Sequence, residues 1–173
     1  VLRTLGSIPR RDDIEVIVRD DGSTDKTLEN LMSYAKDTDL NLTVCSNGKN
    51  YGVAYTANRL LEMANGEFFH FLMSDDTVFT DAYNGLIDRL YSFDGDILAM
   101  DLKVNDGTIF RLNPQTDDGY CAQACRFIRR SIVDGLKYPE DVKAGEDLYF
   151  HKDMMARHPK VVYSGVTAYR YNF

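Results

Sequence analysis

The chain has 173 residues, 44% of them hydrophobic, which is enough for one substantial core and points to a single domain. A formal net charge of -7 and the absence of any basic stripe argue against a nucleic-acid partner. No apolar run approaches the roughly 20 residues needed to cross a bilayer, and Val1 opens no signal-peptide pattern, so a cytoplasmic body, free or peripheral to a membrane, is expected. Cys45, Cys121 and Cys125 are odd in number and lack paired metal spacing, which fits buried thiols in a reducing compartment.

In chain order, residues 1–8 read as the end of a helix stopped near Pro9. A β-branched run over residues 14–19 predicts a strand, and Asp20-Asp21-Gly22-Ser23 supplies turn chemistry, with Ser23 or Thr24 placed to cap a helix over 25–36. Leu28, Leu31, Met32 and Ala35 repeat at the spacing of that helix. A strand over 42–46, a helix over 53–64 stopped by Asn65-Gly66, and a strand over 67–72 follow. This βαβαβ rhythm predicts a parallel sheet whose loops gather at the carboxyl ends of its strands, bringing Asp20, Asp21, Asn47, Asn50, Asp75 and Asp76 to one rim. Asn58 is a polar amide among apolar helical neighbours and reads as a tie from its helix to that rim.

A further helix is expected over 81–91, after which the rhythm breaks. Strands over 97–104 and 108–112 flank Asn105-Asp106-Gly107, a strong hairpin signal. Residues 113–120 are polar and turn-rich, an ordinary surface loop or a flap over the rim. An apolar stretch over 121–128, a short helix over 131–136, a helix from Gly145-Glu146-Asp147 to Ala156, and strands over 160–163 and 167–171 complete the reading. His70 lies in an apolar run and reads as a core histidine, whereas Tyr51, Tyr120 and Tyr169 are candidates for stacking on a base or sugar.

Three carboxylate pairs, Asp20-Asp21, Asp75-Asp76 and Glu146-Asp147, each adjoin a regular element. The first stretch alone also fits an Asx-turn with a helix cap. Converging carboxylates repel one another unless a cation lies among them, and Mg²⁺ or Mn²⁺ commonly shares such oxygens with a diphosphate. An acidic protein can hold an anionic nucleotide in this way.

Asp20-Asp21-Gly22-Ser23-Thr24-Asp25, Asn50-Tyr51-Gly52-Val53-Ala54 with Ala57-Asn58-Arg59, Ala64-Asn65-Gly66-Glu67-Phe68 leading to Phe71-Leu72-Met73-Ser74-Asp75-Asp76, and Gly145-Glu146-Asp147-Leu148 together resemble family 2 glycosyltransferases. The resemblance runs from about residue 14 to residue 171. It implies the GT-A fold of nucleotide-diphospho-sugar transferases: Rossmann-like α/β in three α/β/α layers, with a mainly parallel central sheet and a small antiparallel hairpin. It further implies one catalytic domain over 1–173, with residues 1–100 as the nucleotide-binding half and 101–173 as the acceptor-binding half.

The implied activity is metal-dependent, inverting transfer from a nucleotide-sugar, expected to be a UDP-sugar, to a hydroxyl of a saccharide or other acceptor in polysaccharide or glycoconjugate synthesis. Asp21 matches the acid that contacts the nucleobase and Asp20 its neighbour; Ser23, Asn50, Gly52, Asn58, Ser74 and Asp75 complete the implied nucleotide-sugar site. Asp75 and Asp76 match the end of the DxD region and are the implied metal ligands for Mn²⁺ or Mg²⁺. Asp147 matches the catalytic base, with Glu146 placing the acceptor or the base.

Two departures stand out: Met73 occupies the position of the first Asp of DxD, and the family's first strand is missing ahead of residues 1–8, as in an N-terminally truncated domain. Competing readings are a relative that binds nucleotide without catalysis, a sugar-nucleotide pyrophosphorylase, and a receiver-like module with a phosphoacceptor Asp.

Overall fold

A computed structural model describes residues 1–115, 123–142 and 144–172. The expected loop over 113–120 therefore lies partly outside the described residues, as do Tyr120 and Cys121. The chain divides into two compact units, one of Arg10–Gly66 and Gly135–Phe150, the other of Val1–Pro9, Glu67–Asp134 and His151–Phe173.

The first unit is built on two strands, β1 (Val16–Asp20) and β2 (Leu42–Ser46), paired in parallel with Val16 opposite Leu42 and Asp20 opposite Ser46. The connecting helix α2 (Thr27–Asp37) buries Leu31, and α3 (Val53–Met63) buries Ala54, Ala57 and Asn58. The cap of α2 differs from expectation: the Asp25 carboxylate accepts the Thr27 N–H at 2.9 Å, and Ser23 and Thr24 remain exposed. The last residues of this unit include the first turn of α5 (Glu146–Met155).

The second unit holds a six-stranded sheet in the order β3 (Phe68–Phe69), β7 (Arg126–Arg129), β5 (Ile97–Val104), β8 (Val161–Tyr171), β4 (Thr77–Val78), with β6 (Ile109–Phe110) paired to β5. Its centre is β5 (Ile97–Val104), where Ile97, Leu98, Ala99 and Met100 are all essentially without exposure. A strand covered on both faces reads as a continuous apolar run, and burying each large aliphatic side chain contributes about 1.5–3 kcal/mol. Strand β8 (Val161–Tyr171) runs parallel to β5; β7 (Arg126–Arg129) and β6 (Ile109–Phe110) are antiparallel to it. The β5–β6 turn is the expected hairpin, closed by Val104 N–H to Thr108 O at 2.9 Å. Helix α1 (Leu2–Ser7) contributes buried Thr4 and Leu5, and α4 (Thr80–Leu90) contributes Tyr83, Leu86 and Ile87.

The architecture is α/β, with a small parallel sheet and a larger mixed one, and its two longest ladders, β1–β2 and β5–β8, are parallel. Three local expectations change. The third strand shortens to two residues and pairs antiparallel with β7, so it does not extend the β1–β2 ladder. Residues 160–163 and 167–171 join into the single strand β8, which absorbs its irregular middle as register slips between Ala99 and Asp101 and between Asp101 and Leu102. The short helix expected over 131–136 is a single 3₁₀ turn, Arg130–Ile132.

Candidate active site

In the first unit, strand β1 ends in two carboxylates with different tasks. Asp20 is buried, and its Oδ2 accepts Gly22 N–H and Ser23 N–H, both at 3.2 Å, and Ser46 Oγ–H at 3.4 Å. It is the turn-former that the sequence left open. Asp21 is half-buried and reaches the loop ahead of α3: Oδ1 accepts Asn47 Nδ2–H at 2.8 Å and Tyr51 N–H at 2.9 Å, and Oδ2 accepts Gly52 N–H at 2.8 Å. Burial acts to raise the Asp21 pKa, but hydrogen bonds from Tyr51, Asn47, Gly52 and Thr56 outweigh it and hold the carboxyl below its ordinary 3.8.

Gly22 makes this close approach possible. Its φ is +80°, and a Cβ there would lie 2.4 Å from the Asn50 nitrogen and from the Lys49 carbonyl carbon. The loop has a second support in a stack of side chains: Tyr51 and Tyr55 lie at 4.6 Å between centroids, with Lys49 Nζ 4.7 Å over the Tyr51 ring and Arg59 over Tyr55. Tyr51 nevertheless stays exposed. Tyr169, the other described stacking candidate, is fully buried. Ser23 and Asn50 are exposed beside the Asp21-bound loop.

Asn58 is buried and clamps the Tyr138 peptide, accepting Tyr138 N–H at 2.8 Å and donating to Tyr138 O at 2.9 Å; its second N–H goes to Glu140 Oε1 at 2.8 Å. Both amide hydrogens are used, so Asn58 ties α3 to the segment leading into α5. That segment ends in Glu146 and Asp147, both half-buried in the first turn of α5. Tyr138 stacks on Phe150 at 4.1 Å and 1°. Burial, and then the charges of Asp147 and Glu146, push the Tyr138 hydroxyl pKa up, leaving it a neutral group near the two carboxylates.

The second unit holds the loop from Met73 to Asp76, and its backbone is tied down at each step. Ser74 O accepts Thr4 Oγ1–H at 2.7 Å, and Asp75 O accepts Arg3 Nη2–H at 3.0 Å and Asn172 Nδ2–H at 3.1 Å. Asp76 is fully buried: Oδ2 accepts the Tyr169 hydroxyl and Oδ1 accepts Asn172 N–H at 2.7 Å. Burial raises its pKa, these bonds lower it, and the Asp75 charge raises it again, with a net upward shift. Asp76 is thus turned into the protein as the loop's internal anchor. Ser74 and Asp75 remain exposed.

No three His, Cys, Asp or Glu side chains gather as a metal cage among the described residues. One outward carboxylate suits Mg²⁺ or Mn²⁺ when a ligand's phosphate oxygens and water complete the shell. Sequence reasoning gave no role to Arg3, Thr4, Asn172 or Tyr138. Hydrogen bonding by backbone carbonyls and peptides 70 or more residues away leaves no local pattern to find.

Residues 1–143 match the family model described as Glycosyl transferase family 2. A search of curated proteins found no match. Among solved structures, S. aureus TarS 1-349 is 22% identical with a TM-score of 0.81, over 99% of this chain and 55% of that one. The same protein in complex with UDP-GlcNAc gives 22% identity and a TM-score of 0.82, over 99% and 54%. The mannosyltransferase PcManGT from Pyrobaculum calidifontis, in complex with GDP-Man and Mn2+, is 19% identical with a TM-score of 0.68, over 96% and 50%. The chain spans about half the length of these structures, and the likeness is one of fold, the GT-A fold.

Proposed function

Since the chain belongs to glycosyl transferase family 2, we propose that it moves a sugar from a nucleotide-sugar, foremost a UDP-sugar, to a hydroxyl of a saccharide or other acceptor, in polysaccharide or glycoconjugate synthesis. In this reading residues 1–100 bind the nucleotide and residues 101–173 serve the acceptor. The observation that carries it is the division of labour in the two acidic loops. Asp20 and Asp76 are buried as anchors, while Asp21 holds the loop before α3 and Asp75 faces solvent. Similar structures hold UDP-GlcNAc and GDP-Man with Mn2+, which supports a nucleoside diphosphate-sugar as the ligand class.

Each residue has a defined task. Asp21, braced by the loop before α3, is the acid that would meet an N–H of the nucleobase. Exposed Ser23, Asn50 and Ser74 line the two loops with polar groups for ribose and phosphate. Asp75 would hold Mg²⁺ or Mn²⁺ jointly with the diphosphate. Bound there, the ion offsets the negative charge that builds on the leaving diphosphate.

Asp147 accepts the proton of the acceptor hydroxyl as its oxygen bonds to the anomeric carbon, and Glu146 orients that hydroxyl. Positioned proton transfer of this kind contributes about 10²- to 10⁴-fold. Attack opposite the leaving group inverts the anomeric carbon. The test is turnover of UDP-sugars with Mn²⁺: Asp147→Asn is expected to keep nucleotide binding and lose at least about 100-fold in transfer, and full transfer by that variant would remove the proposed base. Exposed Met73 at the DxD position favours one further reading, a relative that binds nucleotide without catalysis. Nucleotide binding with no turnover of any UDP-sugar would favour it.

A further inference from the structure

Asp21 holds the loop before α3 only if its own carboxylate is held, and that task falls to Asn47. The Asn47 Nδ2 hydrogens go to Asp21 Oδ1 at 2.8 Å and to Thr56 Oγ1 at 2.9 Å, and its backbone N–H goes to Asp20 O at 2.9 Å. Which way an amide faces is decided by its partners. Here the deciding partner is Arg19, half-buried on β1, whose Nε–H donates to Asn47 Oδ1. Arginine has no acceptor. The carbonyl end of Asn47 must therefore face Arg19 and the N–H end must face the carboxylate. The guanidinium is steadied on α3 by Nη1, 3.5 Å from Met63 Sδ.

We propose that Arg19 and Asn47 are positioning residues for nucleotide-sugar binding: Arg19 sets the orientation of the Asn47 amide, and Asn47 thereby fixes Asp21 and the backbone N–H groups of Tyr51 and Gly52. The relay runs from a donor-only cation through an oriented amide to a carboxylate and on to two peptide N–H groups. Every link is a hydrogen bond between complementary groups, and reversing the amide opposes carbonyl to carboxylate at Asp21. The functional half of this proposal rests on the nucleotide-site reading above; the orientation of the loop does not.

Three substitutions at residue 19 separate orientation from packing, because each puts a different atom where Arg Nε stands. Gln places an N–H there, Met a methyl, and Glu an acceptor-only oxygen that turns the Asn47 amide around. Two readouts are taken on the full chain: hydrogen exchange of the Tyr51 and Gly52 amides without ligand, and UDP affinity with Mn²⁺.

Arg19→Gln is expected to match the parent in both. Arg19→Met should speed exchange and weaken UDP by about 3- to 10-fold, and Arg19→Glu by about 30-fold or more, in line with loss of the orienting hydrogen bond and then its reversal. Equal exchange and affinity across the parent and all three variants overturns the proposal. So does equal loss in Gln and Glu, which would make Arg19 a packing residue. Exchange in the expected order, in a protein that binds no UDP, upholds the relay and overturns the nucleotide-site reading.

Discussion

Asp76 has no exposure, and both of its oxygens take hydrogen bonds, from Tyr169 and Asn172, while the neighbouring Asp75 faces solvent. Asp20 and Asp21 divide in a related way, one closing a turn and the other bracing a loop. Adjacency of carboxylates was legible in the sequence; which member turns inward was not, because that depends on groups supplied by Tyr169 and Asn172, more than 90 residues away. Asp76→Ala leaves a buried hydroxyl and a peptide N–H without their acceptor, and should destabilise the fold by about 2–4 kcal/mol in chemical denaturation. The folded pKa of Asp76 is raised, so its carboxyl favours folding at low pH and that contribution is lost as pH rises through the folded value.

At the level of elements, β2 and β5 match their expected bounds because an apolar run in each ends at turn residues. The run over 67–72 misled, since its side chains are satisfied without continuing a strand. His70, just after β3, takes a hydrogen bond between Nδ1 and the Tyr83 hydroxyl at 2.8 Å and another from Nε2 to Ala124 O at 2.6 Å, amid the rings of Tyr83, Phe127 and Tyr169. Burial lowers its pKa to about 4 from 6.5, against the raising effect of the Ala124 bond. A histidine held neutral in the fold binds fewer protons than in the unfolded chain, so its contribution is complete above pH 6.5 and is lost as pH falls towards 4, by about 3 kcal/mol at most. His70→Gln can keep both hydrogen bonds without titrating. Its stability relative to the parent should therefore improve between pH 6.5 and 4.5, as measured by thermal unfolding; a difference constant across that range contradicts the assignment.

For the whole molecule, the order of the motifs carried the fold, since four short signatures in sequence match one topology better than any of them alone. The division into two units was not legible, because residues 135–150 join a unit otherwise made of residues 10–66. Asn58 and Tyr138, 80 residues apart, carry part of that join through a side chain on a peptide, which leaves no periodicity to read. No described helix is long and apolar enough to cross a membrane.

The central claim is tested most directly by calorimetric titration of UDP into the protein with and without Mn²⁺. Binding that strengthens by about tenfold or more with Mn²⁺, and loses that gain in Asp75→Asn while folding stability is unchanged, is the predicted result. No heat from UDP or any other nucleoside diphosphate, or an affinity indifferent to both Mn²⁺ and the Asp75 substitution, would contradict it.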